Sequence, residues 1–286
     1  MKLIRYFFEF LVVAVLLAIF KILGFKLASN LGKFIGQRVG PFFRSKEKIK
    51  SNIKKALPNN EEKNIELIVQ KMWGNYGRIL SEYMFIKNFR NSRHKKFLTI
   101  DGQEILDELK FSKEPVVFIS GHFNNFELMA MQIEKSGIDL AAIYRPLNNI
   151  FLNKIMENIR IKYICRKQIK KGKAGIRELL ELFKNNYSIA LMIDQRLSES
   201  IKLNFFGQEA STTTLPAQIA KKFGCKIVPI YIERINGIYF KMTINKPITF
   251  ENESTVEEIT LKLNKWLEKM ILANPEQWIW SHDRWK

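Results

Sequence analysis

Histidine and cysteine are both scarce in this chain of 286 residues, with three of the former and two of the latter. Cys165 and Cys225 stand far apart with no paired-cysteine spacing. A disulfide framework and a Cys/His metal centre are thereby excluded as organising features, and isolated thiols suit a reducing compartment. Acidic residues are also short, 28 against 47 Lys and Arg, which leaves a formal charge of +19. This balance excludes an acidic solvating protein and directs attention to anionic partners: nucleic acid, an anionic membrane surface or an acidic carrier. No stretch rich in Pro, Gly or Ser divides the chain, and no fixed-period repeat runs through it. What is present is a hydrophobic fraction of 47% with 22 Phe, enough to bury a sizeable core and too little for a polytopic membrane protein.

The one long hydrophobic run is N-terminal. Tyr6 to Phe25 is apolar apart from Glu9 and Lys21, and such a segment rises roughly 30 Å as a helix, one hydrocarbon thickness. Its uninterrupted part, Phe10 to Phe20, is much shorter, so a spanning anchor and an embedded interfacial helix both stay open, with the anchor the first reading. The residues after Phe25 are basic and offer no small-x-small cleavage site, which favours retention over removal as a signal peptide. Lys2 and Arg5 precede the run, whereas Lys21, Lys26, Lys33, Arg38 and Arg44 end or follow it. If the run spans, the positive-inside bias puts the body in the cytoplasm. Leu27, Leu31, Phe34 and Ile35 recur at helical spacing among cations, which reads as a basic amphipathic helix on a membrane surface. An ordinary core-packed helix is the alternative, with Gly32, Gly36 and Gly40 permitting close backbone approach. The expected organisation is a transmembrane or membrane-embedded helix over 1–25, a basic interfacial helix over 26–45 and an α/β body over 46–286.

In that body the short apolar runs Val116–Ser120, Leu140–Tyr144, Ile189–Ile193 and Ile227–Ile232 alternate with the helical stretches Phe126–Lys135, Phe151–Ile159, Gly175–Lys184 and Leu215–Phe223. Strands without polar alternation, separated by helices, predict an α/β fold: a mostly parallel sheet covered by helices on both faces. An antiparallel addition, Ile238–Ile244 with Ile248–Phe250, and a last helix from Ser254 to Leu272 complete the expectation. Ligands of such sheets collect beyond the carboxyl ends of the strands. The segments there are Gly121-His122-Phe123-Asn124-Asn125-Phe126-Glu127, Arg145-Pro146-Leu147-Asn148-Asn149 and Asp194-Gln195-Arg196.

His122 and Glu127 would lie about 140° apart on one continuous helix and would not meet. If the helix starts at Asn124 or Asn125, His122 stays in the loop and can fold back over the first turn, towards Glu127. A carboxylate there would fix the imidazole tautomer and stabilise the imidazolium, making His122 a general base. Equally, Asn124-x-x-Glu127 can be a capping box with no catalytic meaning. His94 lies among cations in Ser92-Arg93-His94-Lys95-Lys96 and reads as exposed. The terminal tryptophans Trp278, Trp280 and Trp285 suit either packing against the body or contact with a membrane interface.

Taken together, Gly121 to Glu127 after an apolar strand resembles the His-x4-Asp/Glu motif of the lysophospholipid and glycerolipid acyltransferase superfamily. More narrowly it is similar to the late acyltransferases of lipid A biosynthesis, the lauroyl- and myristoyltransferase group. Further carriers of the resemblance extend over most of the chain: Tyr144 to Asn149, Met192 to Gln195, Phe205-Phe206-Gly207 with Thr212 to Pro216, Val228-Pro229, and Pro275 to Lys286. The sequence departs from the usual His-Phe-Gly-Asn-Trp-Glu at Asn124, where Gly is usual, and at Phe126, where Trp is usual. The larger side chain at 124 is expected to narrow the site, which bears on acceptor identity and acyl length.

The resemblance implies transfer of a fatty acyl chain from an acyl thioester, acyl carrier protein or acyl-coenzyme A, to a hydroxyl of a lipid A precursor. It places the enzyme at the bacterial inner membrane with the catalytic domain facing the cytoplasm. Catalytic residues are then His122 and Glu127, with Arg145, Asp194 and Gln195 meeting substrate; no cofactor, no metal and no nucleic acid is implied. A related acyltransferase acting on a glycerophospholipid or another glycolipid would share the base and differ in the acceptor pocket. Charge alone would also suit a membrane-tethered binder of anionic lipid or nucleic acid, although no nucleic-acid module is present.

Overall fold

The computed structural model describes residues 2–196 and 200–285; Met1 and Lys286, the ends of two segments discussed above, lie outside them. The N-terminal helix α1 (Lys2–Val39) bends at Gly24, whose φ of 75° and ψ of 166° are not helical. A left-handed φ of this kind suits glycine, so the break falls where the sequence permits it. Beyond the bend Gly32, Gly36 and Gly40 lie against Trp73 and Gly77 of α3 (Glu62–Glu82), and a Cβ on any of them would collide with α3. The glycine stripe thus packs on the body, while Lys26, Leu27, Lys33 and Phe34 on the other side are exposed. The second half of α1 therefore joins both alternatives, one face packed and one face open. Helices α2 (Lys46–Ala56) and α4 (Ile86–Arg90) complete the N-terminal layer.

The sheet contains β1 (Leu98–Asp101), β2 (Val117–Ser120), β3 (Leu140–Tyr144), β4 (Lys167–Lys170), β5 (Ser188–Met192), β8 (Ile227–Asn236) and β9 (Tyr239–Ile244). Its order is β1-β9-β8-β2-β5-β3-β4. Neighbours run parallel except β8 and β9. A separate antiparallel pair is formed by β6 (Ile201–Phe205) and β7 (Gln208–Thr212). Between and after the strands run α5 (Gln103–Ser112), α6 (Glu127–Lys135), α7 (Ile150–Ile159), α8 (Lys173–Lys184), α9 (Leu215–Phe223) and α10 (Val256–Ala273). The expected mostly parallel sheet is the one observed. Three details differ: the edge strands β1 and β4 and the β6/β7 pair are too short or too polar to register as apolar runs. Ile248 makes only a single bridge to Ile227, so the second strand of the expected antiparallel addition does not form, and β9 instead pairs on both sides.

One expectation about the rim is corrected and one open choice is decided. His94 is half-buried, with its ring 4.6 Å from that of Phe25 and 5.2 Å from that of Phe89, and burial followed by the charge of Lys96 lowers its pKa. Trp278, Trp280 and Trp285 are all buried, which selects packing over membrane contact for the C-terminal segment.

Candidate active site

Beyond β2 the backbone must leave the sheet and enter α6 within six residues, Gly121 to Phe126. Gly121 is required for space: a Cβ there would come within 2.8 Å of the Phe123 ring and 3.0 Å of Leu267. The sharp turn comes later, at Asn124, whose φ is 44°. Asparagine tolerates the left-handed region better than other side-chain-bearing residues, which accounts for Asn at a position where Gly is usual. Its side chain turns away from the site to the Ile232 carbonyl and Gln277. Asn124 therefore does not narrow the site, contrary to expectation, and it does not cap α6, which begins at Glu127 with no side-chain cap.

His122 remains in the loop, as anticipated, but its partner is not the one anticipated. The ring Nδ1 lies 2.7 Å from Oδ1 of Asp194, and the main-chain N–H of His122 donates to Oδ2 of the same carboxylate at 2.7 Å. Trp278 Nε1 donates to Oδ2 at 2.9 Å. Asp194 follows β5, the parallel neighbour of β2, so adjacent strand ends bring the two residues together across 72 positions of sequence. Asp194 is fully buried. Burial opposes its ionisation, but the His122 charge and the hydrogen bonds of His122 and Trp278 outweigh burial and hold the carboxyl down at about 2. Burial likewise opposes the imidazolium, and Asp194 outweighs it, raising the His122 pKa above its ordinary value, with a smaller contribution from the Glu127 charge. An anionic acceptor at Nδ1 assigns the proton to that nitrogen and leaves the Nε2 lone pair free. The Gln195 amide nitrogen lies 3.5 Å from Nε2.

Glu127 makes different contacts. Its Oε1 accepts from Arg160 Nη2 at 2.6 Å, from Arg160 Nε at 2.8 Å and from the Tyr83 hydroxyl at 2.6 Å. The expectation that Glu127 orients the His122 ring is corrected accordingly: at the first residue of α6 its side chain points to the turn of π-helix that follows α7, where Arg160 lies. Asp194 holds the ring instead; its carboxylate is buried, with His122 and Trp278 as partners.

His122 and Glu127 both line a cavity of about 820 Å³. Its floor is a row across the sheet, Gln168, Ala142, Ala190 and Phe118, which are register partners on β4, β3, β5 and β2. Two alanines in the middle of that row leave room above the strands. Apolar side chains of α6, Met129, Ala130 and Ile133, line the cavity as well. Basic and polar side chains also line it, among them Arg44, Arg145, Arg160, Lys171 and Gln195. Arg145 is exposed and makes no ion pair with the described residues. Burial and then the charge of Arg145 lower the Lys171 pKa, so cations are crowded on this side. The arrangement offers an imidazole base between an apolar recess and a cationic rim, suited to an amphiphile with an anionic head.

The profile of the family described as bacterial lipid A biosynthesis acyltransferase matches residues 1–286. The chain belongs to this family. It is thus an acyltransferase of lipid A biosynthesis, acting on a lipid A-type acceptor. Relatives include the lipid A biosynthesis lauroyltransferase of Escherichia coli (strain K12), 24% identical over 290 residues, covering 99% of this chain and 92% of the relative. The lipid A biosynthesis palmitoleoyltransferase of the same organism is 22% identical over 266 residues, covering 88% of this chain and 84% of the relative. Among solved structures, the 1-acyl-sn-glycerophosphate acyltransferase PlsC from Thermotoga maritima aligns with a TM-score of 0.43 and 13% identity, covering 87% of this chain and 98% of that one.

Three site residues of this acyltransferase escaped the sequence reading. Arg160 sits in an ordinary-looking helix end, and Tyr83 in the N-terminal layer; neither carries a motif. Trp278 was visible as part of an unusually aromatic terminus, and a buried indole needs an acceptor, but nothing in the sequence names Asp194 as that acceptor. Both thiols are pushed up by burial, Cys165 to about 12 and Cys225 to about 11, so neither is a thiolate nucleophile at neutral pH. Among the described residues no group of three or more His, Cys, Asp or Glu side chains is placed to hold a metal ion.

Proposed function

We propose that this acyltransferase moves a fatty acyl chain from an acyl carrier protein thioester to a hydroxyl of a lipid A precursor, with His122 as general base. The observation that carries the reading is the His122 ring itself, held at Nδ1 by buried Asp194 while the ring faces the cavity. The acceptor O–H gives its proton to Nε2 as its oxygen bonds to the thioester carbonyl carbon. The resulting tetrahedral intermediate expels the thiolate, which takes the proton back from Nε2; ester and thiol are formed and the imidazole returns neutral. No acyl-enzyme is needed. Asp194 stays ionised throughout and stabilises the transient imidazolium.

The apolar recess over Ala142 and Ala190 suits the acyl chain, and Arg145 suits a phosphate of the acceptor, which a guanidinium can meet bidentately. Gln195, with its amide nitrogen 3.5 Å from Nε2, donates in this reading to an oxygen brought up to that nitrogen. Glu127 acts through Arg160, fixing a cation on the cavity wall beside the base. The N-terminal helix serves membrane association, at the bacterial inner membrane with the catalytic body on the cytoplasmic side, where carrier thioesters and a basic surface can meet.

The experiment is to supply purified protein with acyl carrier protein and coenzyme A thioesters, and with lipid A precursors and glycerophospholipids as acceptors, and to identify products by mass spectrometry. Acylated lipid A precursor from the carrier thioester is expected. Acylation of a glycerophospholipid alone, or no lipid product with any pair, overturns the reading.

A further inference from the structure

The first half of α1 is long and apolar enough to cross a membrane, with a mean hydropathy of 2.5 in its most apolar window. Its contacts do not suit a crossing. Near its start, the Asn149 side chain at the head of α7 donates to the Tyr6 carbonyl at 2.8 Å and to Glu9 at 3.3 Å. The rings of Phe7 and Phe10 lie 5.7 and 5.8 Å from that of Phe151. Further along, Leu16 and Leu17 pack against the core and Phe20 is buried in it. Just past the bend, Phe25 lies 5.5 Å from Phe85 and 5.4 Å from Phe89. From Tyr6 to Phe20 the helix rises about 21 Å, and the catalytic body touches it near both ends of that stretch. A bilayer-spanning helix carries its two ends to opposite surfaces, roughly 30 Å apart, and one folded body cannot touch both ends.

The other side of the same helix is a lipid-facing surface. Leu3, Ile4, Phe8, Val12, Val15 and Ile22 are exposed, Val12 at 70% and Ile22 at 84%. Cations flank both ends, Lys2 and Arg5 at the start and Lys21 and Lys26 around the bend, where a helix lying flat would bring them to headgroup level. Exposed Phe42 and Phe43 directly precede Arg44, and exposed Leu147 stands two residues before Asn149; Arg44 and Leu147 both line the His122 cavity. The apolar surface and the cavity mouth therefore adjoin.

We infer that α1 does not span but lies in the plane of one leaflet of an anionic phospholipid bilayer, its exposed face in the acyl region and its flanking cations among the headgroups. The inference rests on the reading of the chain as an enzyme of membrane lipid. It adds a route: an amphiphilic acceptor passes sideways from that leaflet, between Phe42–Phe43 and Leu147, into the cavity with its anionic head near Arg44 and Arg145. Helices lying in the interface are stabilised by this combination of buried apolar area and attraction to anionic lipid.

The test uses the full chain bound to the outside of sealed phosphatidylglycerol/phosphatidylethanolamine vesicles, in a Cys225→Ser background that leaves only buried Cys165. Single cysteines are placed by Lys2→Cys, Val12→Cys and Lys21→Cys and exposed to a membrane-impermeant maleimide. Labelling of Lys2→Cys and Lys21→Cys to similar extents without permeabilisation, with Val12→Cys protected until detergent is added, is the expected result. Protection of Lys2→Cys until the vesicles are permeabilised means a spanning helix and overturns the inference, as does labelling of Val12→Cys in intact vesicles. In the Phe10→Cys/Phe151→Cys variant, a short bifunctional maleimide should cross-link the vesicle-bound chain internally; a cross-link that forms only after detergent extraction also overturns it. Labelling is read without any turnover, so loss of the proposed activity and loss of this orientation are separate outcomes.

Discussion

Asp194 grips His122 at two points, the ring Nδ1 and the main-chain N–H, each at 2.7 Å. One carboxylate thus sets both where the ring stands and which nitrogen is free. The motif acid, Glu127, serves an arginine instead.

Replacing the base has the largest effect. His122→Ala should lower kcat by about 10² to 10⁴, and it should also cost about 1–3 kcal/mol of stability, because buried Asp194 loses a donor. Single-turnover acyl transfer checks this, and near-normal transfer by a folded His122→Ala protein would falsify the assignment.

The pH profile separates the two acids. A base with a raised pKa is protonated, and inactive, over a wider acid range, so the acid limb of kcat/KM should lie above pH 6.5. Asp194→Asn removes the largest raising influence and leaves burial, which lowers the pKa; the limb should move to lower pH. Its kcat should also fall, by roughly 10² or more, because the ring loses its tautomer and orientation. Glu127→Gln removes a weaker influence and should move the limb less.

Glu127→Gln has its own signature. Arg160 and Glu127 are both largely buried, and removing one partner of a buried pair leaves an uncompensated charge, costing about 3 kcal/mol or more. Denaturant unfolding should register that loss, whereas Asp194→Asn should be distinguished by its pH limb.

Trp278→Phe deletes one of the donors to Asp194 while keeping the bulk. A buried acceptor that loses a partner costs about 1–3 kcal/mol, and the Asp194 pKa should rise. The expected enzyme is less stable and slower than wild type, but faster than Asp194→Asn, in the same acyl-transfer assay.

Gly36→Ala tests the contact between α1 and α3. The new methyl would strike the Trp73 carbonyl and Gly77, and overpacking of a tight contact costs typically about 1–3 kcal/mol. A lowered thermal midpoint with kcat/KM per folded molecule retained is the expected outcome. Loss of rate with unchanged stability would show that the contact matters for turnover and not for packing.

Much of the architecture was legible locally. Leu140–Tyr144 and Leu215–Phe223 declare themselves as strand and helix, because uninterrupted apolar runs between helical stretches have few other solutions. His122 was legible too, since a histidine leaving an apolar strand stands where α/β sheets bind ligands. Local order also determined that an apolar helix begins the chain, that Gly24 can break it and that Asn124 can replace Gly in a left-handed turn. Which acid meets the imidazole was decided only in three dimensions. Glu127 is five positions from His122, but sequence proximity does not aim a side chain, and the start of α6 sends it to Arg160. Asp194 is distant in the chain and adjacent in the sheet because β2 and β5 pair in parallel, and Trp278 reaches it only after the C-terminal segment has folded back. Hydrophobicity alone could likewise establish that α1 seeks lipid; whether it crosses or lies flat depends on what its other face touches, and that contact exists only in the folded body.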